Sequence, residues 1–581
     1  MSAQTRFGPL VSGQGVTFRL WAPGARSAGV LIGEPVAMAR RGEWFEAHIP
    51  MARPGTRYRF RIDGELEIPD PTSHFQPEDI GGPSEIIDHG QYVWKAKKWK
   101  GLPWEQAIFL EAHVGTFTPE GTFRAMIGHL DHLAQTGITA LELMPLSDFP
   151  GRWNWGYDGV LPFAPDSAYG RPEDLKALID AAHARGLMVF LDVVYNHFGP
   201  EGNYLARLAP HFFSDAHTPW GVAIDYRVPQ VRAYAIENAL HWLREYRFDG
   251  LRLDAVHAIV TPGEPHILTD LAKAVQRFAA ESGRQIHLVL ENDDNAAQFL
   301  APKGGYRAQW NDDYHHAWHV QLTRENAGYY RDHRNAASHI VRALAEGFAY
   351  QGEASPHRGG KPRGTPSAQI PRMDFVNFLQ NHDQIGNRPR GERLAVLAKP
   401  QALDAALAVL LLQPGPPLMF MGDEWGATEP FPFFCDFAGD LAEAVRQGRR
   451  REFAEAYAQH GDEIPDPLAR ETRNSAVLDW NALRKPPQAA RLALTRALLA
   501  ARRKWIVPLL PAMTTKGHAQ FDNQVLLARW SAGNSSLLLL ANFSNDVKPR
   551  PAELSWGASI WGDEPPPELP SWSVHAAIGG S

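Results

Sequence analysis

Residues 171–197 read RPEDLKALIDAAHARGLMVFLDVVYNH, and this stretch decides the fold. Its first half is helical: Pro172 presets φ at a helix start, and Leu175, Leu178, Ile179 and Ala182 recur at i, i+3, i+4 and i+7 on one face. Its second half, 188–194, is an apolar run broken only by Asp192. Such a run suits a strand buried on both faces, as in a parallel sheet. The same texture recurs at 107–110, 140–144, 250–253, 287–290, 306–309, 375–378 and 417–420, with amphipathic stretches between. Eight runs in βα alternation, over about 400 residues, predict an α/β fold: a (β/α)8 TIM barrel with long insertions. A doubly wound open sheet is the structural alternative. It would want a glycine-rich phosphate turn after an early strand, and none is found.

The flanks differ in texture. In 1–90, runs such as 16–21 and 58–62 alternate apolar and polar residues between Gly and Pro, which reads as a β-sandwich. In 507–581, runs 524–528 and 536–541 are again strand-like, so a C-terminal β domain is expected, with the barrel spanning 91–506. Of 581 residues, 44% are hydrophobic and 21% charged, which excludes a mainly disordered or coiled-coil chain. Lys and Arg total 58 against 65 Asp and Glu, a net charge of −7 with no long basic run, so no nucleic-acid surface is expected. A single cysteine, Cys435, excludes an internal disulfide framework and a cysteine-built zinc site. The opening MSAQTRFGPL is not patterned as a signal peptide, and the longest aliphatic run, 405–412, falls far short of a membrane span. A cytoplasmic protein with no membrane partner is the expectation.

In such a barrel the chemistry lies at the C-terminal strand ends. Those ends carry Asp192, Asn196 and His197; Arg252, Asp254 and His257; Glu291; and His382 with Asp383. A lone carboxylate after a strand reads equally well as a helix cap. Carboxylates recurring on successive, converging strand ends do not, and glycoside hydrolysis needs that set: a nucleophile or base, and an acid for the leaving oxygen. A third carboxylate can hold the acid's pKa up. Arg252, two residues before Asp254 on the same strand face, would orient the nucleophile and keep it ionised.

The motifs DVVYNH (192–197), GLRLDAVH (250–257), ENDDN (291–295) and FLQNHD (378–383) resemble the signature regions of the α-amylase family of glycoside hydrolases and transferases. The resemblance implies Asp254 as nucleophile, Glu291 as acid/base and Asp383 as transition-state stabiliser. It implies sugar contacts at Arg252, His197 and His382, and stacking on Tyr157 of WGYDG. Further stretches, NWGYDGV (154–160), AQWNDDYHHAWH (308–319), QNHDQIGNR (380–388) and EPFPFFCDF (429–437), resemble the branch that acts on maltooligosyltrehalose, releasing trehalose. That branch also fits LAEAVRQGRRREF (441–453). Substrate contacts are accordingly expected along Leu253, Ala255, Val256 and His257, along Trp310, Asn311, Asp312, Asp313, Tyr314 and His315, and along Gln384, Ile385, Gly386 and Asn387. A trehalose pocket is placed at Asn311, Asp312, His315 and Gln384. Trp153, Trp155, Trp310 and Trp425 sit near strand ends; core packing is the default reading for each, with Trp310 assigned to the site. No metal and no cofactor are expected: Asp312, Asp313, His315 and His316 read as a sugar-binding cluster rather than ligands, and HExxH, P-loop and GxSxG motifs are missing. Asp293 and Asp294 have no assignable place. The expected partners are maltooligosyltrehalose and related α-glucans, supplied by a maltooligosyltrehalose-forming synthase. Two rivals stay open: a glycogen branching enzyme using the same triad, and a non-catalytic glycan-binding barrel.

Overall fold

A computed structural model describes residues 7–260, 265–300, 304–552 and 554–580. Eight parallel strands close into a barrel: β1 Phe109–Ala112, β2 Ala140–Leu143, β3 Met188–Val193, β4 Gly250–Leu253, β5 His287–Leu290, β6 Ala308–Trp310, β7 Phe375–Phe378 and β8 Pro417–Phe420, with β8 pairing back to β1. Apart from His287, every residue of these strands is buried. That burial on both faces is why the runs are apolar throughout rather than alternating. The helix expected at Pro172 is α1, Pro172–His183, and it buries Leu175, Leu178, Ile179 and Ala182. Later helices that matter to the site are α2, Pro229–Glu245, and α3, Asp312–Thr323.

Two strands sit slightly off the apolar runs. β1 begins at Phe109 and runs on through Glu111, because that carboxylate turns into the barrel and accepts the His382 backbone N–H at 3.1 Å. β6 starts at Ala308; Tyr306 instead donates its hydroxyl to the Leu268 carbonyl at 3.0 Å. Gly250 opens β4 because a Cβ there would lie 2.1 Å from the Phe190 ring.

The N-terminal segment forms a four-stranded sheet and a five-stranded companion sheet, which enclose Val16, Phe18, Leu20, Phe45, Phe60 and Ile62 between them. The C-terminal segment forms a five-stranded antiparallel sheet built around Val525–Ala532 and Ser535–Asn542. Among the described residues, no helix is long and apolar enough to cross a membrane.

Candidate active site

One guanidinium organises the mouth of the barrel. Arg252 on β4 is fully buried; its Nη1 donates to Asp192 at 2.7 Å and to Asp254 at 2.8 Å, and its Nη2 lies 3.1 Å from Glu291. Asp192 and Arg252 are register partners across β3 and β4, so the sheet itself sets the first contact. Arg252 and Asp254 share a strand face by the two-residue repeat. The Trp310 ring lies beneath the guanidinium, 4.1 Å from its carbon, a cation–π contact in a desolvated place.

The two carboxylates on this cation are biased in opposite directions. For Asp254, burial pushes the pKa up, but Arg252, His197 and the Asn196 amide, which donates at 2.9 Å, outweigh it and hold the group below the usual range. For Glu291, burial again pushes up, and Asp254, Asp312 and Asp383 add to it against Arg252, so the group stands well above the usual range. Its Oε2 accepts the Ala255 N–H at 2.7 Å, and Ala255 takes φ +40° to present it. A non-glycine residue in the left-handed region is a mark of backbone held for a purpose. The pair is therefore biased in opposite senses, Asp254 toward the carboxylate and Glu291 toward the carboxylic acid.

A second group faces them. Asp383 is partly exposed and accepts the Asn387 amide at 3.3 Å, while its own N–H is capped by Asn381 at 2.9 Å. His382 is buried; burial lowers its pKa, but the bond to Glu111 overrides this and raises it. Tyr157 stacks on His382 with ring centroids 5.2 Å apart, and its hydroxyl donates to Asp192 at 2.7 Å. His197 pairs with Asn196 and lies 3.0 Å from the Tyr157 carbonyl. The Asn196 oxygen thus pairs with His197 while its amide donates to Asp254.

The structure thus brings together Asp254, Glu291, Asp383, Arg252, Tyr157, His197 and His382. It does not place all the other expected residues at the mouth. Trp310 is buried under Arg252 and has no face to give a sugar. Asn311 spends its amide on Gly347 O and Asn377, and His315 lies between Leu379 O and Tyr330. Asp313 is buried against Arg363, and Tyr314 is buried in the core. Of 310–315 only Asp312 is not fully buried; burial, Asp293 and Asp383 push its carboxyl up to about 7. Asn311 and His315 therefore drop out as trehalose contacts. Leu253 faces the core, and Ala255 and Val256 act through their backbone, bonding strand five's Glu291. His257 is half-buried and accepts the Asp293 N–H at 3.3 Å. Gln384 caps its own helix start through Asn381 N–H at 3.1 Å; Ile385 and Gly386 are buried, and Asn387 is exposed. A Cβ on Gly386 would meet the Trp155 ring at 1.9 Å. Trp425 and Trp155 are core residues, Trp155 stacking on Phe431; Trp153 is half-buried.

Several contributors escaped the sequence reading. Arg358 and Arg363 hold Asp293 and Asp294, the pair that had no assignment, and Arg363 also holds Asp313. Glu111 was legible only as a carboxylate just past an apolar run. Asp313, His316 and His333 could gather on an ion, but the Arg363 guanidinium already paired to Asp313 opposes a second cation there.

Comparison with known proteins follows the same lines. The family model for the alpha amylase catalytic domain matches residues 107–218. Malto-oligosyltrehalose trehalohydrolase of Deinococcus radiodurans is 41% identical over 94% of this chain and 90% of its own. The enzyme of that name from Saccharolobus solfataricus is 39% identical over 82% of this chain and 83% of its own. The crystal structure of a candidate alpha amylase from Salmonella typhimurium superposes with a TM-score of 0.94 at 44% identity, covering 98% of this chain and 99% of that one.

Proposed function

The chain belongs to the malto-oligosyltrehalose trehalohydrolase family, and from that premise we propose that it cleaves the α-1,4-glucosidic bond next to the terminal trehalose of maltooligosyltrehalose. Trehalose leaves and a maltooligosaccharide remains. Glu291 protonates the leaving 4-oxygen of trehalose while an Asp254 oxygen attacks the anomeric carbon, giving a glycosyl ester. Water then attacks that carbon as Glu291 takes its proton, so configuration is retained. Asp383 braces the sugar hydroxyls, and Arg252 keeps Asp254 ionised. The observation that carries the reading is the shared guanidinium: Asp254 at 2.8 Å and Glu291 at 3.1 Å from one side chain, with opposite protonation biases. A cation shared in this way keeps the carboxylates close, which favours a retaining pair, about 5–5.5 Å apart, over an inverting one at about 6.5–9.5 Å. A non-catalytic barrel has no use for that bias. An enzyme that caps maltooligosaccharides with trehalose would supply the substrate, and the cytoplasm is the compartment we assign.

The test is product analysis. The enzyme is incubated with maltooligosyltrehalose, plain maltooligosaccharide and amylose. Free trehalose from the first is expected, with the first-formed maltooligosaccharide in the α configuration. New branch points in amylose, without trehalose release, would replace this reading with that of a branching transferase.

A further inference from the structure

Three histidines outside the mouth meet where the N-terminal segment lies on the barrel. His74 follows the strand Leu66–Ile68, His89 opens the single turn His89–Gln91, and His241 stands on α2. Their ring centroids are 4.6 Å (His74–His241), 4.9 Å (His74–His89) and 5.1 Å (His89–His241) apart. One ring nitrogen from each lies within 4.8 Å of those of the other two. Histidine clusters also arise from plain packing, so the state of the nitrogens decides. The Phe163 carbonyl, 3.0 Å from His241 Nε2, can only accept, so that nitrogen carries the hydrogen and Nδ1 keeps a lone pair. A hydrogen bond of 3.2 Å joins His89 Nε2 and His74 Nδ1, and His89 Nδ1 is buried with no hydrogen-bond partner among the described residues. Burial, with mutual repulsion and Lys176, keeps the rings neutral: His74 falls to about 4, and His89 and His241 lie well below the ordinary value. Neutral imidazole is the ligating form.

A cavity of about 230 Å³ reaches the three rings, and Asp88, Glu237 and Glu245 also line it. The Lys176 ammonium, which donates to the His89 carbonyl at 3.0 Å, opposes a cation nearby; the charges of Glu245 and Asp88 act on that ammonium in the opposite sense. We propose that His74, His89 and His241 bind a divalent transition-metal ion of the zinc class, which fastens the N-terminal segment to α2. Imidazole nitrogens select zinc, cobalt, nickel or copper over calcium and magnesium, which want oxygen. Zinc–nitrogen bonds of about 2.0–2.1 Å require the rings to draw in slightly, with water from the cavity in the fourth position. No step of the proposed hydrolysis uses these residues.

The experiment uses the tag-free full chain, stripped with EDTA. Calorimetry with Zn²⁺, the visible spectrum with Co²⁺ and X-ray absorption at the zinc edge report on binding. One equivalent is expected, with imidazole nitrogens in the first shell. The apparent unfolding midpoint should rise by about 2–4 °C at saturating zinc, while kcat/KM stays unchanged. His89→Gln and His241→Gln should each weaken zinc binding at least tenfold, and His316→Gln should not. Absence of stoichiometric binding overturns the proposal, as does full binding in both variants or its loss in His316→Gln. If the variants fail to fold, the zinc-edge spectrum of the parent decides: a first shell without several imidazoles rejects the site.

Discussion

Glu291 and Asp254 touch one guanidinium yet their pKa values are shifted in opposite directions, and this contrast fixes the pH behaviour. Activity needs Asp254 ionised, so kcat/KM rises as pH climbs through its depressed pKa. It needs Glu291 protonated, so kcat/KM falls as pH climbs through a pKa well above the usual glutamate range. The profile should be a bell whose alkaline limb belongs to Glu291. Glu291→Gln removes the proton donor with little change of shape; turnover should drop by about 10²–10⁴ while substrate binding survives. An active Glu291→Gln enzyme that keeps its alkaline limb would falsify the assignment. Asp312 is one of the charges that lift Glu291, after burial and Asp254, so Asp312→Asn should move the alkaline limb to lower pH. An unmoved limb would mean that Asp312 does not act on the acid.

The elements were more legible than the contacts between them. Barrel strands announce themselves because burial on both faces demands apolar runs, and their polar ends face the mouth by construction. The stretch 310–315 misled for a physical reason. Its polar residues look like a solvent-facing sugar cluster, yet Asn311, Asp313 and His315 are buried and bonded to Gly347 O, Arg363 and Leu379 O, groups far away in sequence. No local period encodes such partners. Arg363 sits in a Gly- and Pro-rich loop whose sequence shows no pairing signal, although it is the main countercharge for Asp313 and Asp293. Removing it as Arg363→Gln leaves Asp313 buried and unpaired, which should cost about 3–5 kcal/mol in denaturant unfolding. Burial raises the Asp313 pKa, but Arg363 and backbone N–H groups outweigh it, so its folded value is depressed. Its stabilising contribution is present above the unfolded pKa and is lost as pH falls through the folded one. The gap between parent and variant should therefore narrow on acidification; a gap that is constant from neutral to acid pH would show that the ion pair is not its source. At the neighbouring element, Gly386→Ala should push Trp155, which stands edge-on to His382 with centroids 5.4 Å apart, and lower kcat/KM more than it lowers stability.

Across the whole molecule the three sheet systems are not equally independent. The inner face of the C-terminal sheet, including Leu526, Trp530, Leu537, Leu539 and Phe543, belongs to the same contiguous core as the barrel and its helices. Trp530 also donates to the Leu344 carbonyl at 3.0 Å, and Phe543 packs on Trp318 of α3 with centroids 4.9 Å apart. The N-terminal sandwich instead closes a core of its own around Val16, Phe18, Phe45 and Phe60, with Phe7 and Trp21 reaching over to the barrel. Cooperative units follow shared burial, because opening one part exposes apolar area on whatever it covers. Native-state hydrogen exchange in graded urea should thus show the amides of Val525–Ala532 and Ser535–Asn542 opening together with the barrel strands, while those of Gly15–Trp21 open at lower urea. Trp530→Ala, which empties a buried indole site and leaves the Leu344 carbonyl without its donor, should lower the midpoint of the joint transition by about 3–5 kcal/mol of stability and leave the N-terminal one in place. If the C-terminal strands exchange in a separate, earlier step that Trp530→Ala alone affects, the continuous core is not a cooperative unit, and the C-terminal sheet is an independent domain resting on the barrel.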